Sequence, residues 1–561
     1  MQNEHKGLKT TTVALIICVL ISLLFIICGN LDWETNDDEL LNLIAAGAWG
    51  FENSQYLIYQ NIILGYLYKF MYQIIPTLNV YAFFFLTLNI LSYYLICRKF
   101  AEKHSMALTI LFATGVGLLL HSDFFETIQY TKNAYLYAVT GWIYLWSGSV
   151  FSRRGDQIIG YLMLGISFMV RWQCCVFTTP FILAWILIKK GDIQEKKTAF
   201  FKASVLLLLV WGGLFVADKA AYSSPEWKAF SQYNKVRTSL LDYGTPSYKD
   251  NSEVYDEIGI TDNDIEVMME WNYGDNKVYS YENLSVMDSL KDEPVFSLSS
   301  VTSALMDLYS IVHSSPLPAI LFMIMACLVL THNKEGVYIS FLFLAFIFLE
   351  YVFLNNSFRL EWRVEIGIWF VPIILLLFTF KEEEENTKSI LIPAALISLC
   401  SLGIIGSQLA YNFMYHKHFN VRTYNAENRF NDIKSLYHSY PQYTFVGDTV
   451  SFSSYGNRIS YNIYDVTKGS YEDLFSRFNF AGCWMYPSPL AVENGLKSGI
   501  TNPLENLLDD NVCFVVEKES YYGDETERIL EFLQTHYDED AEYEIVGSTR
   551  NLSLIKYKHG S

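Results

Sequence analysis

Charge is scarce in this chain. Of its 561 residues only 18% are Asp, Glu, Lys or Arg, while 52% are hydrophobic and gathered into runs, which excludes a single soluble domain. Basic residues are scarcer than acidic ones, 40 against 59, and the net charge of -19 excludes nucleic acid as a partner. Cysteine is rare outside the apolar runs. Cys18, Cys28, Cys97, Cys174, Cys175, Cys327 and Cys400 lie in or beside them and read as small hydrophobes. Only Cys483 and Cys513 stand apart, and that pair could close one bridge in an oxidising compartment.

Other signals are missing altogether. No Gly-rich loop follows a strand pattern, which excludes a Rossmann-type nucleotide site. His416, His418 and His438 are not at metal-site spacing. Internal repeats are absent, and the one biased tract, Glu382 to Glu385, reads as a solvated face. No small-x-small site closes the first apolar run, so that run is a retained helix and not a cleaved signal.

What remains is a chain of apolar segments. They recur near 12–29, 78–97, 106–121, 133–148, 158–171, 173–188, 201–217, 316–331, 337–354, 364–380 and 388–408, which predicts about eleven membrane spans. Aromatic residues make up 16%, a load suited to interfacial belts and to lipid- or sugar-facing surfaces. The stretch Tyr56 to Ile75 carries Gln60, Asn61, Lys69 and Gln73, and suits a helix lying along the interface.

Orientation follows from the short loops. With the amino terminus in the cytoplasm, Lys6, Lys9, Arg98, Lys99, Lys103, Arg153, Arg154, Lys189, Lys190, Lys196, Lys197, Lys202, Lys334, Lys381 and Lys388 all fall inside. The opposite short loops hold only Lys69, Lys132, Arg359 and Arg363. The expected protein is therefore a polytopic α-helical membrane protein over 1–408, with an outer loop at 30–77 and a large outer loop at 219–315. A small extracytoplasmic α/β or α+β domain follows at 409–561. Both large outer blocks are acidic, whereas a domain on an anionic inner leaflet is expected to be basic.

Within 219–315, Thr261 followed by Asp264 is a capping pattern, and Ile265, Met268 and Met269 are spaced to share one helical face. In the tail, YTFVGDTVSF, NVCFVVEK, YEIVGS and NLSLIKYK read as strands and DETERILEFLQTHY as a helix.

Four polar features gather on the outer side. Asp37, Asp38 and Glu39 follow the first span. The next outer loop carries His121, Asp123, Glu126 and Lys132. Arg171 interrupts a long apolar run, where an unpaired charge is costly. The last short outer loop offers Arg359, Glu361 and Arg363. Carboxylates suit activation of an acceptor hydroxyl, and guanidiniums suit a phosphate leaving group. Taken one at a time, each has a structural reading as well: an acidic loop, a buried ion pair, a satisfied interfacial histidine.

The layout resembles the GT-C superfamily of integral-membrane glycosyltransferases, bacterial cell-surface polysaccharide type. The match is NDDEL at 36–40, with Asp38 and Glu39 in the place of the family's acidic pair, followed by the interfacial stretch GAWGFENSQYLIYQNIILGYLYKF. Arg171 looks like the arginine that such enzymes carry near the carrier phosphate. No His-Pro-Pro pattern follows the acidic pair, and WNYGD at 271–275 is only superficially like the WWDYG motif of oligosaccharyltransferases, so no subfamily is implied.

The resemblance implies inverting transfer of a sugar from a polyprenyl-phosphate carrier to an outer-face glycan or lipid-linked acceptor, in a bacterial plasma membrane. Asp38 would be the general base, with Asp37 beside it. Glu39 or Asp123 would orient the acceptor or hold a divalent cation, and Glu126 and His121 would line the substrate site. Arg171 with Arg359 or Arg363 would stabilise the departing phosphate. No cofactor is implied beyond that cation. A lipid-linked polysaccharide polymerase would share the arginines without needing the early acids. A flippase or transporter of glycan precursors would place its ionisable groups at the midplane of a repeated fold, which this chain lacks.

Overall fold

Where the apolar runs fall among the described residues, the chain is helical. The computed structural model describes residues 2–28, 31–50, 52–146, 154–188, 197–291, 298–357, 360–380, 431–448, 476–518 and 523–560. In chain order the first helices are α1 (Gln2–Cys28), α2 (Asn36–Ala46), α3 (Ile62–Ile74), α4 (Val80–Ala101), α5 (Met106–Leu120), α6 (Tyr130–Trp146), α7 (Arg154–Ile188) and α8 (Lys197–Ala221). The outer block contributes α9 (Pro225–Tyr243), α10 (Tyr248–Glu257), α11 (Asp262–Met269) and α12 (Tyr281–Ser289). Then come α13 (Leu298–Ser314), α14 (Pro316–Leu330), α15 (Lys334–Ser357) and α16 (Trp362–Leu377).

The expected span count is corrected. Among the described residues five helices are long and apolar enough to cross a membrane: Lys9–Ile27, Val80–Ala101, Arg154–Ile186, Phe201–Ala221 and Lys334–Asn356. A sixth is added if α13 and α14, bent by 88° at their junction, count as one. The reason is length. α5 has 15 residues, α6 17 and α16 16, each shorter than a helix that spans about 30 Å of hydrocarbon unaided. The segment 388–408 lies outside the described residues.

One of the long helices is not straight. Backbone angles of φ -160° and ψ 96° break α7 at Arg171. Its limbs, 154–170 and 172–188, then run back along each other, because the Cys175 thiol lies 3.2 Å from Ser167 Oγ although a straight helix would hold residues eight apart at about 12 Å. Both limbs pack on α6: Ser167 Oγ donates to the Ala134 carbonyl at 2.7 Å and Trp142 Nε1 to Thr178 Oγ1 at 3.2 Å. The break freed the Met169 carbonyl, which accepts the Asn61 N–H at 2.7 Å. Every residue of α6 is buried, so this helix is the axis around which the others pack.

The connecting segments sort to two ends. At one, Glu34 N donates to the Ile128 carbonyl at 3.1 Å, Ile62 N to Asp218 Oδ1 at 2.9 Å, and Asn272 Nδ2 to Glu525 Oε1 at 2.7 Å. At the other, buried Lys99 pairs with Asp156 at 2.7 Å, His104 reaches the Phe380 carbonyl at 3.3 Å, and Asn333 reaches that of Thr379 at 2.9 Å. These are the two sets of segments that the Lys and Arg distribution assigns to opposite faces.

α3 exposes Ile63, Tyr66, Leu67, Phe70 and Ile74 on one face, as a helix along the interface would. α13 exposes Leu298, Leu305, Met306, Tyr309 and Val312 in the same manner before the sharp bend into α14. The Thr261–Asp264 capping box forms at the start of α11. Ile265 and Met268 are buried as expected, but Met269 is exposed.

The tail folds as a mixed sheet with helices. Short parallel pairs β1 (Asp32–Trp33) and β2 (Thr127–Ile128) belong to the membrane part. The terminal domain has β3 (Thr444–Gly447), β4 (Phe478–Phe480), β5 (Val512–Glu517), β6 (Glu542–Ser548) and β7 (Leu552–Lys558), in the order β4-β3-β5-β7-β6. β3 is parallel to β4 and β5, and β7 is antiparallel to β5 and β6. Its helices are α17 (Pro489–Ser498) and α18 (Glu525–His536). Cys483 and Cys513 are both buried and free, so the bridge allowed by the sequence is not made.

Candidate active site

The acidic run begins α2, where Asp37, Asp38 and Glu39 occupy the first turn after the N-cap Thr35. Negative charge suits that end of a helix, which carries the exposed N–H groups. α2 stops at Gly47, whose φ of +71° no bulky residue adopts cheaply. A Cβ there would also come within 2.6 Å of the Asn53 backbone nitrogen. That turn sends the chain through 52–61 and back over α2.

The neighbouring acids face opposite ways. Asp38 is fully buried. Its Oδ1 accepts the Tyr81 hydroxyl at 3.0 Å and the Tyr130 N–H at 3.1 Å, and its Oδ2 accepts from Thr35 at 3.4 Å. Tyr81 is held in turn by Gln60 Nε2 at 2.8 Å. Asp37 is half-buried and makes no hydrogen bond or ion pair among the described residues. Burial pushes its pKa up, and the guanidiniums of Arg363 and then Arg171 pull against that without cancelling it. Burial and the charge of Asp37 push Asp38 well above the usual carboxylate range. Glu39 is half-buried and not free.

Arg171 stands at the tip of the α7 fold-back. Its guanidinium carbon is 5.7 Å from the Tyr59 ring centre and 5.6 Å from that of Tyr130, and these two rings lie nearly parallel, 6.3 Å apart. The two rings hold the cation while leaving its N–H groups unspent, for among the described residues it makes no hydrogen bond or ion pair. Arg363 is half-buried and reaches Glu361 at 3.4 Å. Arg359 lies outside the described residues.

The His121 loop does other work. His121 and Glu126 pair with each other at 3.1 Å. Lys132, wholly buried, makes an ion pair with Glu34, lies 3.6 Å from Asp123, and donates to Thr127 Oγ1 at 3.0 Å. Lys132 thereby links the residue after β1 to β2.

Three contributors escaped the sequence. Arg237 on α9 is buried, donates to Asn234, and lies 5.3 Å from the Trp271 ring centre, close enough to Asp37 for their charges to act on one another. Tyr59 supplies half of the Arg171 platform. Trp484, from the terminal domain, lies with its ring centre 4.8 Å from that of Tyr59. No motif flags any of them: Arg237 and Trp484 come from far along the chain, and Tyr59 is one of several aromatics in the interfacial stretch.

Among the described residues no three of His, Cys, Asp and Glu are grouped as metal ligands. The arrangement offers one unspent carboxylate under the charges of Arg363, which is paired with Glu361, and of Arg171, whose N–H groups are unspent, which suits proton acceptance beside an anionic leaving group.

No protein-family model matches the chain, and no curated protein matches it. Among solved structures it is similar to ArnT from Cupriavidus metallidurans bound to undecaprenyl phosphate, at 10% identity over 98% of this chain and 97% of that one, with a TM-score of 0.40.

Proposed function

We propose that this chain is a membrane glycosyltransferase that moves a sugar from a polyprenyl-phosphate carrier to a hydroxyl acceptor at the outer face of the membrane. The observation that carries the reading is the contrast at the start of α2: a free, half-buried Asp37 facing Arg171 and Arg363, backed by a sealed Asp38. The sequence had favoured Asp38 as base, but a carboxylate enclosed by Tyr81, Tyr130 and Thr35 has no face left for a substrate. The base is Asp37, and Asp38 is a positioning residue that fixes the first turn of α2.

In the proposed step the acceptor oxygen attacks the anomeric carbon as its proton passes to Asp37. The bond between that carbon and the phosphate oxygen breaks, and the electron pair leaves with polyprenyl phosphate. A single displacement inverts the anomeric centre. Arg171 and Arg363 stabilise the charge that gathers on the phosphate. Arg171 is suited to this because its planar fork is presented by aromatic rings and not consumed by a carboxylate.

The test is transfer in liposomes with synthetic polyprenyl-phosphate sugars, together with donor binding. Wild-type protein should bind polyprenyl phosphate more tightly than polyprenol and release it on transfer. Equal affinity for the two would remove the phosphate from the reading. Binding without transfer to any glycan acceptor would favour carriage across the membrane instead.

A further inference from the structure

The terminal domain does not hang free of the membrane part. Its turn 481–488 enters between the outer block and the candidate site. Gly274 N donates to the Ala481 carbonyl at 2.5 Å, and the Tyr273 hydroxyl to the Cys483 carbonyl at 2.5 Å. Gly482 is packed so closely on the Trp271 carbonyl that a side-chain carbon there would overlap it. Within the turn, Tyr486 N reaches the Cys483 carbonyl at 2.8 Å and Ser488 N that of Met485 at 2.6 Å. Ser488 then caps α17 by accepting the Ala491 N–H at 3.2 Å. The turn is therefore held at both of its edges, and so is Trp484, which is buried at its centre.

The ring of Trp484 meets a ring that already carries a cation. Tyr59 is half-buried, with Trp484 at 4.8 Å, Tyr130 at 6.3 Å and the Arg171 guanidinium at 5.7 Å. Gln60 and Asn61, the next two residues, are pinned to Tyr81 and to the Met169 carbonyl. Their backbone fixes where Tyr59 begins, but no hydrogen bond fixes its ring among the described residues. Ring packing does, and Trp484 approaches it more closely than Tyr130.

We propose that Trp484 is a positioning residue for the carrier phosphate: it holds the Tyr59 ring, and through it Arg171, so that the terminal domain is a working part of the donor site. This rests on the reading of Arg171 as the phosphate ligand. The terminal domain's contribution is then geometric, since Trp484 touches the platform and not the phosphate.

The test is a double-mutant cycle on full-length protein in nanodiscs, with polyprenyl phosphate as probe and polyprenol as its uncharged control. Trp484→Ala should weaken polyprenyl phosphate binding about fivefold to tenfold, the scale of one aromatic or cation–π contact, and leave polyprenol binding unchanged. Trp484→Phe keeps a ring at the contact and should restore most of the loss. In an Arg171→Lys background, Trp484→Ala should cost little more, because residues acting through one contact are not additive. A full additive loss in that background, or unchanged phosphate affinity in Trp484→Ala, overturns the inference and leaves the phosphate reading standing. A wild type that does not separate polyprenyl phosphate from polyprenol overturns both.

Discussion

Asp38 accepts the hydroxyl of Tyr81 at 3.0 Å across a sequence separation of 43 residues, and this one bond explains why its neighbour is free. It locks the first turn of α2 against the start of α4. With Asp38 turned inward, Asp37 is left half-exposed, under the charges of Arg363 and Arg171.

Asp37→Asn keeps the size of the side chain and cannot take a proton. It should leave donor binding intact and lower turnover by roughly 10²-fold or more. Asp38→Asn should act on the fold instead, costing about 1–3 kcal/mol because an amide nitrogen would meet the Tyr81 and Tyr130 donors. Turnover and thermal melting of the two variants, measured side by side, separate the roles. Full activity in Asp37→Asn would remove it as the base.

Turnover should depend on pH through Asp37. The base acts when ionised, so the rate falls as pH drops below its pKa. Burial holds that pKa above the ordinary aspartate value of 3.8. Arg363 is the strongest influence pulling it down, so Arg363→Gln should move the acid limb of the profile to higher pH. A limb that stays put in Arg363→Gln would mean the two groups do not share a site.

Stability should carry a second pH dependence, from Glu270 at the end of α11. Burial raises its pKa to about 7, against the pull of its Arg528 partner. A carboxyl with a raised folded pKa favours folding in its protonated form. Its contribution is complete below the usual 4.5 and is lost as pH rises through about 7. The melting temperature of the docked terminal domain should fall over that window, and Glu270→Gln should flatten the fall.

The orientation can be read by labelling. Cysteines placed at the exposed positions Glu282 and Glu493 should react with an impermeant thiol reagent on intact cells or spheroplasts, and one at Lys103 only after the membrane is opened. Reaction at Lys103 from outside would invert the protein and put the candidate site in the cytoplasm.

Much of the helical part was legible because apolar runs of this length have few other fates. The strands of the terminal domain were legible for the same kind of reason, as alternating or wholly apolar stretches such as Val512–Glu517. What could not be read was whether a run crosses in one piece. The sequence divides the stretch around Arg171 into 158–171 and 173–188, and the contacts of both limbs with α6 show that they double back on each other.

At the site, the acidic cluster marks the stretch, and on the proposed reading the base is the neighbour of the acid that the sequence favours. Which of two adjacent acids faces inward depends on Tyr81 and Tyr130, contacts made across long loops. The charged His121 loop also makes ion pairs that no motif announces, His121 with Glu126 and Lys132 with Glu34. Trp484 and Arg237 carried no signal, because a lone tryptophan or arginine in an acidic domain has many ordinary uses.

The fold-back of α7 has a consequence for the bilayer itself. Each limb, at about 1.5 Å per residue, is roughly 25 Å long, and α16 beside it is no longer. A hydrocarbon layer of about 30 Å does not fit over such a group without thinning. If both limbs lie within the bilayer, the leaflets would draw together on this side of the protein, and the headgroup level would dip toward the tip of the hairpin. On the proposed function, a polyprenyl phosphate arriving there would climb less far out of the membrane before its phosphate met Arg171.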